Sequence, residues 1–150
     1  MTWYELEPAR LVLECERVRR AYPGSTLHRR KQRRLWWVGA LDIQVAFLES
    51  TQFEFAISYP TAYPAVCPKA FILAPELLDG EIGHKWHRWP HDGSICYVRP
   101  SLWQMGTTAD EIISKISDWG FNYLAFKNGL IAEMPEVGRA TVLSESRGGA

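Results

Sequence analysis

The stretch His91-Asp92-Gly93-Ser94-Ile95-Cys96-Tyr97 sets a cysteine just behind an Asp-Gly pair that forms tight turns. Three of the chain's 4 histidines, His84, His87 and His91, precede that cysteine closely. A thiol near imidazoles supports two chemistries. The first is nucleophilic acyl transfer, which needs a reachable thiolate. An ordinary thiol, with a pKa of about 8.5, is only a few per cent ionised at neutral pH, so a nearby imidazolium or backbone N–H groups must raise that fraction. In this reading Cys96 is the nucleophile. The tetrahedral oxyanion, for which losing one donor typically adds about 2.7–4 kcal/mol to the barrier, is met by His87 or His91, with a backbone N–H near Gly93 or Ser94 as the other candidate donors. Gly93 lets the backbone approach closely, and Asp92 forms the turn. The second chemistry is zinc binding by His84, His87, His91 and Cys96. Pro90 interrupts that set, and the HExxH pattern is absent. The expected site therefore holds neither metal nor cofactor.

These side chains need a scaffold, and hydropathy patterning outlines one. Pro8 suits a first helical turn, and Leu11, Cys15, Val18 and Tyr22 then follow at helical spacing up to Pro23-Gly24. Cys15 falls on the apolar stripe and reads as a small core residue. Strands are expected over Arg34–Leu41, Ile43–Glu49, Gln52–Tyr59 and Ala70–Ala74. The third alternates most clearly, with Phe53, Phe55, Ile57 and Tyr59 on one face. Prolines 60, 64 and 68 make the next segment extended and rigid. Residues 75–103 carry no strong periodicity, although tryptophans recur in them, and long irregular stretches of this kind tend to be functional. Thr108 and Glu111 form a capping box. Behind it Ile112, Ile116, Trp119, Tyr123 and Phe126 mark one helical face, which Asn128-Gly129 ends. The fold class is α+β: an antiparallel meander of about four strands with an N-terminal and a C-terminal helix against it. The domain spans residues 1–132, and residues 133–150 form a flexible tail.

Composition narrows the setting. The chain has 150 residues, 47% hydrophobic and 23% charged, rich in aromatics, with 3 cysteines. It is long enough for one domain with a core that needs no disulfide. The absence of a signal-like start and of a long apolar run implies free thiols, a reducing cytoplasm and no membrane partner. Formal net charge is +0, yet the residues up to Arg34 hold nine Lys/Arg against four Asp/Glu. That asymmetry predicts a basic docking face. The run His28-Arg29-Arg30-Lys31-Gln32-Arg33-Arg34 is short for a nucleic-acid site in a neutral protein. It reads as an exposed strand or a protein-docking patch, with no nucleic acid as partner.

Several local signatures occur in one order: Tyr59-Pro60, Tyr63-Pro64, Pro68-Lys69, a short strand, a histidine, Gly93-Ser94-Ile95-Cys96, Trp103 and a capped helix. Together, across roughly Ala9 to Asn128, they resemble the ubiquitin-conjugating enzymes. The resemblance implies that Cys96 accepts the C-terminal glycine of a ubiquitin-like protein as a thioester and passes it to an amine. It also implies an activating enzyme docked on the basic first helix, at Arg10, Arg17, Arg19 and Arg20. The family's His-Pro-Asn segment is replaced by His87-Arg88-Trp89-Pro90, so Trp89 stands where the asparagine would. The form without asparagine is similar to bacterial members found with antiphage-defence operons, either cyclic-oligonucleotide (CBASS) systems or ubiquitin-like pathways. In the former the carried chain is the C-terminus of a cGAS-like nucleotidyltransferase. The alternatives are a non-catalytic binding module of the same fold and the zinc-bound interaction domain.

Overall fold

The computed structural model describes residues 1–142. Its elements run α1 (Trp3–Leu6), α2 (Pro8–Ala21), β1 (Thr26–Arg29), β2 (Leu35–Ile43), β3 (Thr51–Ser58), β4 (Lys69–Ala74) and α3 (Ala109–Lys127). The strands form one antiparallel sheet in the order β1-β2-β3-β4. The α+β meander with a helix at each end is as expected.

Alternation builds the sheet. Leu35, Trp37, Ile43, Phe53, Phe55 and Ile57 point to the inner face, where they meet Ile112, Ile113, Ile116 and Tyr123 of α3 and Val18 of α2 in one buried cluster. Fully burying each such side chain contributes about 1.5–3 kcal/mol. Gly120 sets how closely α3 approaches the sheet. A Cβ there would lie 2.5 Å from Ile43 Cδ1 and 3.3 Å from Phe53 Cε2.

Three expectations need correction. Residues 43–49 are not a separate strand: β2 runs on to Ile43 and a turn follows. Fully buried Val45 anchors that turn, and Ala46 takes a left-handed φ of 48°, so apolar residues there serve a loop. The chain also opens with the short helix α1, whose four residues are too few to show a helical period. It is capped reciprocally by Thr2 and Glu5, the same Thr-x-x-Glu signature that marks α3. Finally, residues 134–140, assigned above to a flexible tail, are fastened to the body. Met134 is buried, Asn122 Nδ2 donates to Gly138 O and Ala140 N donates to Asn122 Oδ1, both at 2.8 Å, and Arg139 pairs with Asp118 at 2.9 Å. Residues 143–150 lie outside the described part.

Candidate functional site

The loop between β4 and α3 presents Cys96, and local hydrogen bonds shape it. Asp92 accepts from Ser94 N at 2.9 Å and from Ser94 Oγ at 2.6 Å, which makes it the turn former expected. Gly93 follows with φ 76°, a value that suits glycine. Trp89 N donates to Ser94 O, and Gly93 N donates to Trp89 O, each at 2.8 Å. Ile95 N donates to Ala70 O at 2.9 Å, tying the loop to β4, and Cys96 N donates to His87 O at 2.7 Å. Burial opposes ionisation of Asp92. Lys69, 2.8 Å away, and the two Ser94 donors outweigh it and bring the carboxyl down to about 2.

A second anchor holds the preceding segment. Glu81, 5% exposed, accepts from Leu78 N at 2.8 Å and from Tyr123 Oη at 2.7 Å, and pairs with Lys127 at 3.2 Å. The irregular segment is thereby pinned to α3, which explains how a stretch without periodicity keeps one shape.

The structure brings Cys96 and His87 together and leaves His91 outside. Cys96 and His87 line a cleft of about 330 Å³, together with Trp103, Trp119 and the strap Pro135–Gly138. A neighbouring cleft of about 270 Å³ shares Cys96, His87, Arg99 and Glu136 and adds His84. The Arg99–Glu136 ion pair, 2.6 Å to each carboxylate oxygen, joins the loop after Cys96 to the strap. His91 is exposed, and its Nε2 lies 3.3 Å from Asp92 Oδ2.

Within the cleft, the surroundings of the thiol among the described residues oppose its ionisation on balance. His87 adopts the left-handed conformation at φ 50°, and its Nε2 donates to Met134 O at 2.9 Å, so that nitrogen is committed to the strap. Burial pushes the Cys96 thiol above its ordinary value. The Glu136 carboxylate and Cys67 push it further, against weaker help from Arg99. Cys96 Sγ points its proton at Val98 O, 3.8 Å away. Nor is a metal cage assembled: among the described residues no group of three or more His, Cys, Asp or Glu could hold an ion.

The four arginines expected to receive an activating enzyme part company. Arg10 Nη2 donates to Tyr63 Oη at 2.7 Å and to Thr107 O at 2.8 Å, and its guanidinium lies over the Tyr63 ring. Arg17 pairs with Asp110 at 3.3 Å and reaches Glu111 at 3.7 Å. Arg19 and Arg20 face solvent.

The sequence reading missed Glu14, the most buried charged residue among those described. It is 0% exposed and accepts from Tyr63 Oη, from Tyr59 Oη at 3.2 Å and from Ala109 N at 2.8 Å. Tyr59 in turn accepts from Trp37 Nε1 at 2.8 Å. Burial raises the Glu14 carboxyl in spite of these donors. The cluster locks α2, the segment after β3, Trp37 of β2 and the first turn of α3 together and lies outside the residues that line the Cys96 clefts. A carboxylate three residues after Leu11 and four before Val18 stands on the apolar stripe, and that was the available signal.

No protein-family model matches the chain, and no curated protein does. Among solved structures it is similar to the yeast Vps23 UEV domain in complex with a Vps27 PSDP peptide. The identity is 9%, the match covers 87% of this chain and 84% of that one, and the TM-score is 0.50. The fold is ubiquitin-conjugating-enzyme-like. That likeness corrects the family reading. The neighbour is a UEV domain, a catalytically inactive variant of this fold, and no relative ties the chain to the bacterial antiphage conjugating enzymes.

Proposed function

We propose that this chain is a non-catalytic binding module with the ubiquitin-conjugating-enzyme-like fold, and that the cleft beside Cys96 receives a short extended segment of a protein partner. One observation carries the reading: Cys96 lines an open cleft in which burial and Glu136 disfavour its thiolate and the ring Nε2 of His87 is spent on the strap. A nucleophile needs the opposite environment. The cleft has the makings of a peptide groove. Aromatic side chains Trp103 and Tyr97 stand on its walls, Val98, Leu102 and Val137 add apolar surface, and Lys115 and Asp118 supply charge. Aromatic-lined grooves suit extended, proline-containing segments, which lose little entropy on docking. The PSDP peptide bound by the Vps23 UEV domain is such a segment, and it supplies the first probe. The free thiols Cys15, Cys67 and Cys96 suit a reducing compartment such as the cytoplasm.

Two measurements test the proposal. A peptide containing Pro-Ser-Asp-Pro, titrated with tryptophan fluorescence as readout, is expected to bind and to lose its affinity in Trp103→Ala. Incubation with activating enzyme, ATP and a ubiquitin-like protein is expected to leave Cys96 uncharged. A reductant-sensitive adduct that disappears in Cys96→Ala would replace the binding module with an acyl carrier.

A further inference from the structure

The basic run identified in the sequence is absorbed neither by the fold nor by the Cys96 cleft. Residues 30–34 close the β1–β2 hairpin, with Arg30 N donating to Arg34 O at 2.7 Å. Gln32 and Arg33 both sit at positive φ, 60° and 59°, where hairpins usually place Asn-Gly. The tip therefore adopts a glycine-type turn while carrying long polar and cationic side chains. Arg33 pairs with Glu5 at 3.0 Å. Arg29 pairs in register with core-facing Leu35 and so belongs to the other face. Among the described residues Arg30, Lys31 and Arg34 make no ion pair, and all three are exposed.

Beside that tip the sheet offers an aromatic surface. Trp36, Val38, Ala56 and Phe71 alternate with the core-facing residues and so leave the sheet on the side opposite α2 and α3. Trp36 and Phe71 stack with centroids 6.0 Å apart and planes 24° apart, and the Arg30 guanidinium lies 5.5 Å from the Trp36 ring. Both rings are half-buried, and Leu73 beyond them is 53% exposed. Lys69 borders this end and is paired with Asp92 at 2.8 Å. Glu54 and Asp42 mark the other end of the same face, so positive charge is confined to the hairpin side.

We infer that the outer face of the sheet, from the Arg30–Arg34 hairpin tip to Trp36 and Phe71, binds single-stranded nucleic acid. The hairpin cations would neutralise phosphates, and the aromatic ladder would stack against bases. A flat aromatic pair flanked by unpaired arginines favours this occupant over an acidic polypeptide. Beneath the rings Ala56 and Ser58 are buried, so the face offers stacking rings and no pocket for peptide side chains. As a linear run in a neutral chain the basic segment pointed away from nucleic acid. Folded, it concentrates unpaired positive charge beside a stacking surface.

The probe is a fluorescein-labelled oligothymidylate of about twenty nucleotides, read by anisotropy on the full chain. Binding is expected below about 100 µM at low salt and should weaken roughly 50-fold between about 50 and 200 mM salt, for about four phosphates engaged. Arg30→Glu with Lys31→Glu, at exposed positions, should abolish it. Trp36→Ala should weaken it about tenfold through lost stacking, with far-UV circular dichroism confirming the fold. A duplex of equal length should bind more weakly, because its bases cannot stack on the protein. Three results would overturn the inference: no anisotropy change, equal affinity for duplex, or full competition by polyglutamate at matched charge. The last would assign the face to an acidic polypeptide instead.

Discussion

Two clusters of potentially reactive side chains lie in this molecule, and they are built oppositely. Around Glu14, a fully buried carboxyl receives three donors and joins two helices to the sheet. Around Cys96, the groups that looked like partners in chemistry face elsewhere: His87 toward Met134 and His91 toward Asp92. The first has a carboxyl that burial shifts upward, a kind of perturbation that often marks active sites, and its role is structural. The second has an active-site sequence and an unactivated thiol. Perturbed acidity follows burial and partners, so it must be weighed together with access to a groove before a role is assigned.

Breaking the first cluster should have the largest effect. Glu14→Ala leaves Ala109 N without its acceptor and takes the carboxylate away from Tyr59 Oη and Tyr63 Oη, and about 3 kcal/mol of stability should disappear at neutral pH. Because burial raises the Glu14 carboxyl in the folded state, its stabilisation is complete below the unfolded value near 4.5 and declines as pH rises through the folded value. The difference between wild type and Glu14→Ala should therefore widen as pH is lowered toward 4.5. Urea denaturation at several pH values checks this, and a constant difference would remove the carboxyl from the argument.

Next comes the strap. Asn122→Ala deletes both hydrogen bonds to the 138–140 segment and should cost about 1–2 kcal/mol. Hydrogen exchange at Ala140 should accelerate with it, and unchanged protection there would mean that Arg139 and Met134 alone hold the strap.

A smaller effect is expected at the turn before Cys96. Asp92→Asn weakens the Lys69 pair and the Ser94 turn and should cost about 1 kcal/mol at neutral pH, discounted for solvent screening. Here the folded carboxyl is held at about 2, below its ordinary 3.8. Its contribution is thus present above 3.8 and fades as pH falls toward 2. Wild type and variant should converge in acid; divergence there would contradict the assignment.

The finest probe is the thiol itself. Glu136→Gln removes a carboxylate that raises Cys96 and releases Arg99. Iodoacetamide alkylation of Cys96 at neutral pH should speed up about twofold. An unchanged rate would mean that burial alone governs this sulfur.

The scaffold was largely legible because it rests on periodicity. Phe53, Phe55 and Ile57 alternate cleanly and bury as expected, and Ile112, Ile116, Trp119 and Tyr123 define the inner face of α3. The 43–49 segment misled because Val45 is buried by a turn, where apolar residues obey no period. The site was legible in position but not in orientation. Spacing put His87 and Cys96 near each other, and both line one cleft. That the ring of His87 reaches Met134, 47 residues further on, is a tertiary fact no local window carries. The Glu14 cluster is long-range for the same reason, since its donors come from Tyr59, Tyr63 and Ala109.

One hydrogen atom governs the thickness of the molecule beneath Trp119. Because Gly120 meets Ile43 where a methyl group would not fit, these two positions form a matched pair of sizes across the helix–sheet junction. Gly120→Ala would push the end of the Ile43 side chain aside, and shortening Ile43 to valine would remove that contact while leaving Phe53 Cε2 at 3.3 Å. The spacing of α3 from the sheet is thus set by core residues that line neither of the Cys96 clefts.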